Sequence, residues 1–185
     1  SIDGPFWNTA GTRAFIEIRA NDYKDRWLAL LNFESGEAQM LDRQHSDAWI
    51  DGPGIGYFSD YIVSMGWMPD DNRIWFQSEE SGYSHLYVIG ISDKKKKALT
   101  KGQFEIYNPT ISEDHRYWYF SSNENHPGVV HFYRMPLEGG NPEQLTNMIG
   151  NNEIFISPDE SKLAFRYSFS NKPWDLYIME NPALS

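Results

Sequence analysis

The sequence contains no cysteine. That excludes a disulfide scaffold, a thiolate metal site and a cysteine nucleophile, and it leaves the redox compartment open. Long apolar runs are also missing. Trp27 to Leu31, five residues, is among the longest, far short of the roughly 20 that cross a bilayer as a helix, so no membrane span is expected in this segment. The chain opens Ser1-Ile2-Asp3-Gly4, with no basic stretch leading into an apolar one, so no targeting segment is expected within these residues. Basic residues are few: 16 Lys and Arg against 26 Asp and Glu, a formal net charge of -10. Surfaces for nucleic acid or anionic lipid need clustered Lys and Arg, so no nucleic-acid partner is expected. The one basic run, Lys94 to Lys97, lies between two apolar stretches and reads as a solvated hairpin tip.

Aromatic residues, by contrast, are abundant. Seven Trp, 11 Tyr and 11 Phe make up 16% of the 185 residues, a composition that buries a core and does not stay disordered. No 11-residue window carries apolar side chains at i, i+3 and i+4, so no amphipathic helix is predicted. What the chain carries instead is a repeat. Trp67 to Ser78, Ile111 to Ser122 and Ile156 to Tyr167 align on Asp70, Asp114 and Asp159, and a weaker copy, Trp7 to Ile16, precedes them. Each copy continues through a polar hairpin into a second strand: His85-Leu86-Tyr87-Val88-Ile89, His131-Phe132-Tyr133-Arg134-Met135 and Asp175-Leu176-Tyr177-Ile178-Met179. Two copies add a third element, Ala98-Leu99-Thr100 and Gln144-Leu145-Thr146; the last copy lacks it.

Short β-branched and aromatic strands in a unit of about 45 residues are the mark of a propeller blade. The turn has its own mechanism, since Pro presets φ and Asp caps the following backbone. The fold class expected is therefore all-β: three to four antiparallel blades, with units at 5–50, 60–106, 107–153 and 154–182, forming an arc of a β-propeller in preference to a closed ring of four. Both ends read as cut from a longer chain. Blades left open at the ends of an arc expose apolar faces, so the chain is expected to self-associate.

A search for chemistry yields little. The nearest string to a Gly-x-Ser-x-Gly nucleophile elbow is Gly82-Tyr83-Ser84-His85-Leu86, which lacks the second Gly and sits in a hairpin. Phosphate loops, His-Glu-x-x-His and calcium-loop spacings are absent, and the five histidines (45, 85, 115, 126 and 131) are scattered. No cofactor or metal is expected. Glu79-Glu80 has the charge to hold a substrate amine, but it opens a turn where solvated charge is ordinary. Asp70-Asp71 is read as turn capping.

Three sets of residues carry a family resemblance. Ser78 to Tyr87 followed by Leu99 to Ile106, and Tyr117 to Asn123 followed by His131 to Arg134, resemble the propeller of dipeptidyl peptidase IV and its bacterial relatives. Asp47-Ala48-Trp49-Ile50 and Gly66 to Asp70 are similar to the same family's preceding blade. The resemblance spans roughly residues 20 to 180. It implies the later part of an eight-bladed propeller that caps a C-terminal α/β-hydrolase domain of the same parent chain, where a Ser-Asp-His triad removes dipeptides with Pro or Ala second from peptide N-termini. It implies peptide substrates, a parent homodimer and a periplasmic or secreted setting. It offers no catalytic residue in this segment, and Glu79-Glu80 does not lie at the position of the family's amine-binding glutamates. One position transfers as substrate-binding, Trp67, at the entry of its blade; the other role open to it is a core aromatic, since Ile111 and Ile156 fill equivalent slots. A rival of another class is a TolB-type propeller that binds proteins and has no hydrolase attached.

Overall fold

The computed structural model describes residues 1–55 and 64–184; residues 60–63, the start of the second expected unit, lie outside them. Fifteen strands and a terminal 3-10 turn at Pro182–Leu184 make up the regular structure, with no α-helix among the described residues. The chain falls into two compact units, Ser1–Leu99 and Thr100–Ser185.

The first unit holds two four-stranded antiparallel meanders. One runs β1 (Ile2–Trp7), β2 (Ala14–Arg19), β3 (Asp25–Leu31) and β4 (Ala38–His45); the other runs β5 (Met65–Trp67), β6 (Arg73–Ser78), β7 (His85–Gly90) and β8 (Lys96–Ala98). Strand order is sequence order in both, as short hairpins dictate. Their facing sides share one cluster: Phe15, Leu28 and Leu41 from the first sheet meet Met65, Ile74, Phe76, Tyr87 and Ile89 from the second. Each such side chain removed from water contributes about 1.5–3 kcal/mol.

The second unit holds β9 (Ile106–Ile111), β10 (Tyr117–His126), β11 (Val129–Pro136) and the two-residue β12 (Glu143–Gln144), followed by β13 (Asn151–Ile156), β14 (Lys162–Phe169) and β15 (Lys172–Glu180). A single parallel bridge, Val130 to Asn151, links the two groups. The buried Asn152 pins it, its Nδ2 donating to Val130 O at 2.8 Å and Met148 O at 2.9 Å. Tyr119, Phe132, Leu145 and Leu163 form the core, with Ile154, Ile156 and Met179 packed against it. The opposite face of β13–β15 leaves Phe155, Trp174, Leu176 and Ile178 exposed.

One loop recurs four times and explains the repeat. Asn8, Met68, Ser112 and Ser157 each donate an N–H to the carbonyl five residues on, at 2.8–3.0 Å, and each accepts from the amide three residues on, that of Gly11, Asp71, His115 or Glu160. That fourth residue is left-handed in every copy, with φ of 66°, 54°, 56° and 56°. The turn aspartates act as expected: Asp70 Oδ1 accepts from Asn72 N and Arg73 N at 2.9 and 3.1 Å. The Ser112 hydroxyl and then Arg116 hold Asp114 down to about 2, and the Ser157 hydroxyl and Ser161 do the same for Asp159.

Only the first copy has glycine in the left-handed slot. A side chain there costs about 1–2 kcal/mol, and glycine's own entropy offsets about half of that gain. Asp71 and Glu160 use their carboxylates to hold neighbouring backbone, so the clean position is the exposed His115. His115→Gly is expected to raise stability by about 0.5 kcal/mol, read as a higher urea midpoint at unchanged slope.

Candidate functional site

The most organised polar constellation lies between the sheets of the first unit. Alternation along β2 places Phe15, Glu17 and Arg19 on the face toward β6 and β7, and the β2–β3 register sets Arg26 opposite Arg19 and Leu28 opposite Glu17. Charge therefore points inward, while Ile16 and Ile18 are only half-buried. The side chains of Glu17 and Arg26 are 0% and 1% exposed.

Glu17 is held from two sides. Arg19 Nε and Nη2 donate to its two oxygens at 3.0 Å each, and Arg26 Nε donates to Oε1. Arg26 Nη1 crosses to the second sheet and donates to Gln77 O at 2.6 Å, and within its own sheet it donates to Gln44 Oε1 at 3.4 Å; its Nη2 has no partner among the described residues. Burial pushes the Arg26 guanidinium below its ordinary value, against the opposing charge of Glu17. The Ser78 hydroxyl donates to Gln44 Oε1 at 3.0 Å, and Gln44 Nε2 donates to Asp42 at 2.9 Å. Gln77 Nε2 donates to Ser84 Oγ at 3.0 Å, and the Ser84 hydroxyl donates to Pro53 O at 2.8 Å. A Cβ on Gly54 would collide with the Gln77 carboxamide, and Gly54 has φ +70°, so only glycine fits that turn.

This seam is an ionic clamp and holds no reaction chemistry. The Ser84 hydroxyl proton is committed to a carbonyl, which leaves it unsuited to nucleophilic attack. Among the described residues no group of three or more His, Asp or Glu is placed to hold a metal ion, and no helix is long and apolar enough to cross a membrane.

The other sequence candidates land in structural contacts. Trp67, on β5, is half-buried against the core cluster; its Nε1 donates to Phe6 O at 2.9 Å and its ring meets the edge of Phe15 at 5.7 Å. Glu79, read as solvated, accepts from Asp51 N at 2.9 Å. Glu80 meets Lys96 Nζ at 2.5 Å, and Lys96 also reaches Asp42 at 2.9 Å and lies over the Tyr87 ring. The lysine run is therefore divided: Lys94 takes a left-handed turn position, whereas Lys96 is a cross-sheet ion-pair partner. Sequence reasoning missed Glu17, Arg19 and Arg26. The available signal was the i, i+2 spacing of opposite charges inside an otherwise apolar strand, with a second Arg just after the turn.

Consecutive antiparallel meanders with this recurring loop define a β-propeller protein. The match at the level of sequence is more specific. A family model described as the dipeptidyl peptidase IV N-terminal region covers residues 7–174, and the chain belongs to that family. Among curated relatives, dipeptidyl peptidase 4 of Trichophyton equinum is 25% identical, over 71% of this chain and 17% of its own. Dipeptidyl-aminopeptidase B of Aspergillus niger is 23% identical, over 91% of this chain and 20% of its own. The chain thus spans about a fifth of the length of these relatives. Two solved structures support the fold: Porphyromonas gingivalis dipeptidyl peptidase 4, with a TM-score of 0.73 at 14% identity over 94% of this chain and 23% of that one, and TolB from Acinetobacter baumannii, with 0.60 at 17% identity over 98% and 41%.

Removing the shared anion of the clamp leaves two guanidiniums facing each other in a buried seam. Glu17→Gln is expected to cost about 3–5 kcal/mol, and replacing the pair together, Glu17→Leu with Arg26→Met, to recover most of it. Urea unfolding of the three proteins measures both effects.

Proposed function

We propose that this chain is a non-catalytic propeller segment of a serine dipeptidyl peptidase, one that releases dipeptides with Pro or Ala second from peptide N-termini in a periplasmic or secreted setting. The observation that carries the reading is the family match over residues 7–174, supported by curated relatives named as dipeptidyl peptidases. In this reading a C-terminal α/β-hydrolase domain of the parent supplies the nucleophile, and the parent forms a homodimer. The segment's own share is access and positioning: rigid walls limit what reaches the hydrolase and hold a short peptide in place, which converts binding into orientation. A scaffold with a buried ionic clamp and repeated closed hairpins suits that task, because a wall that flexes positions nothing. The TolB-type reading, a protein-docking module, draws on fold likeness alone.

The test is peptidase activity on a glycyl-prolyl chromogenic substrate, with the 185-residue chain assayed beside the full-length parent. Activity in the parent and none in the chain is the expected result. Activity in the chain itself would overturn the non-catalytic assignment, and an inactive parent would turn the reading toward a docking module.

Trp67 separates wall from scaffold at one residue. Its contacts to Phe6 and Phe15 lead us to expect that Trp67→Ala in the parent lowers the melting temperature and leaves the Michaelis constant for longer peptides unchanged. A raised constant at unchanged melting temperature would assign the ring to substrate.

A further inference from the structure

His131 is a buried titratable group that the proposed function does not use. It lies on β11, 4% exposed, opposite Ser122 of β10. β11 also carries the two-residue β12, and that pairing is slight. Gln144 lies opposite Tyr133 and Glu143 opposite Arg134, and Leu145 N donates to Phe132 O at 2.7 Å. Thr146, buried like the histidine, closes the edge. Its hydroxyl oxygen accepts from Phe132 N at 3.0 Å and lies 3.3 Å from His131 Nδ1.

These contacts fix the state of the ring. The Thr146 hydroxyl has one proton, and His131 Nδ1 is the acceptor it meets among the described residues. Nδ1 is therefore bare, and the neutral ring carries its proton on Nε2. A proton added at Nδ1 would turn that acceptor into a donor. The hydroxyl oxygen would then receive from both His131 and Phe132, and its own proton would be stranded in a buried position. Burial acts in the same direction, pushing the ring below its ordinary value. The charged groups on the elements beside it are otherwise engaged. Glu143 of β12 pairs with Arg134 of β11 itself, and Glu153 of β13 pairs with Arg166. Glu124 of β10 acts on the Tyr133 hydroxyl, which burial first and then this charge push up to about 12.

We infer that residues 143–147 form an acid-sensitive flap on the second unit: protonation of His131 at Nδ1 breaks the Thr146 latch, frees β12 from β11 and uncovers Leu145, a core residue 5% exposed when the flap is closed. Both ends of the flap suit the motion. Gly139 and Gly140 precede it at φ of 89° and 146°, a backbone that only glycine adopts readily and that can absorb a hinge rotation. Beyond it the chain stays anchored, since Asn152 Nδ2 holds Met148 O and Val130 N donates to Gly150 O at 2.9 Å. In the open form the ring is hydrated and takes its proton at about 6.5; in the closed form it does so only at lower pH. Closure is thus fully favoured above about 6.5 and weakens as the pH falls from there, by up to about tenfold per pH unit for one proton. Carboxyl groups ordinarily titrate near about 4, so the interval from about 6.5 to about 5 isolates the histidine. The inference rests on the geometry of the second unit and holds whether or not the parent is a peptidase.

Amide hydrogen exchange of the 185-residue chain, read by NMR as protection factors from about pH 7.5 to about pH 5, tests the flap. Protection at Leu145 and Phe132 is expected to hold above about 6.5 and then to fall by up to about tenfold per pH unit, while that at Phe165 on β14 stays level. His131→Asn keeps a carboxamide oxygen as acceptor near Nδ1 and does not titrate, so its Leu145 protection is expected to stay level throughout. The unsubstituted chain decides the matter even if that variant folds poorly. Nitrogen shifts of the His131 ring are expected to report the Nε2–H tautomer at neutral pH and a midpoint below about 6.5. Four results would overturn the inference: an Nδ1–H tautomer, a midpoint at or above the ordinary value, Leu145 protection that does not fall in acid, or an equal fall in His131→Asn.

Discussion

An antiparallel meander satisfies its backbone internally but cannot cover its own faces. The strands of this protein are apolar enough that water is a poor cover for either one. In each unit the solution is the same: one sheet's apolar side closes on the next, Phe15 and Leu28 against Ile74 and Phe76 in the first, Tyr119 and Phe132 against Leu163 and Ile154 in the second. The repeated loop serves this constraint. A chain that must return at once to the same sheet needs a reversal of fixed geometry, and the left-handed residue at 11, 71, 115 and 160 provides it at a local strain that packing across the sheets outweighs.

The polar seam bears on the same constraint from another side. Apolar faces specify that two sheets meet, but tolerate many ways of meeting. The buried Glu17, with Arg19 and Arg26 around it and Arg26 reaching Gln77 O, narrows them to one. A one-residue slip in β2 would turn Glu17 and Arg19 outward and Ile16 and Ile18 inward, stranding the buried Arg26 guanidinium on β3 without its carboxylate. The clamp thus contributes chiefly to register and lateral position, since an apolar pair of similar volume holds two sheets together as well.

How much of this was legible in the sequence depends on range. The turns were readable because their determinants lie within five residues: Asp70, Asp114 and Asp159 accept from amides two or three positions away, and such contacts leave a spacing signature. The β-meander class was readable for the same reason, since strand length and hairpin spacing are local. The clamp was not, because Arg26 and Gln77 are 51 residues apart and no pattern in either strand names the other. Lys96 shows the same limit: its run looked like solvated charge, and only the sheet brings Asp42 and Glu80 to it. Trp67 sits between these cases. Its strand was predictable, but its partner, the carbonyl of Phe6, lies 61 positions earlier.

The two structural likenesses bear on where function resides. Porphyromonas gingivalis dipeptidyl peptidase 4 and Acinetobacter baumannii TolB both superpose on most of this chain, so the backbone is common to both propellers. Among the described residues no group of three or more His, Asp or Glu is placed to hold a metal ion, and the buried Glu17–Arg26 pair is committed to holding sheets in register. Fold is therefore silent between the two classes, as it is for any architecture reused this widely. What separates them is sequence: the family model of the dipeptidyl peptidase IV N-terminal region matches residues 7–174.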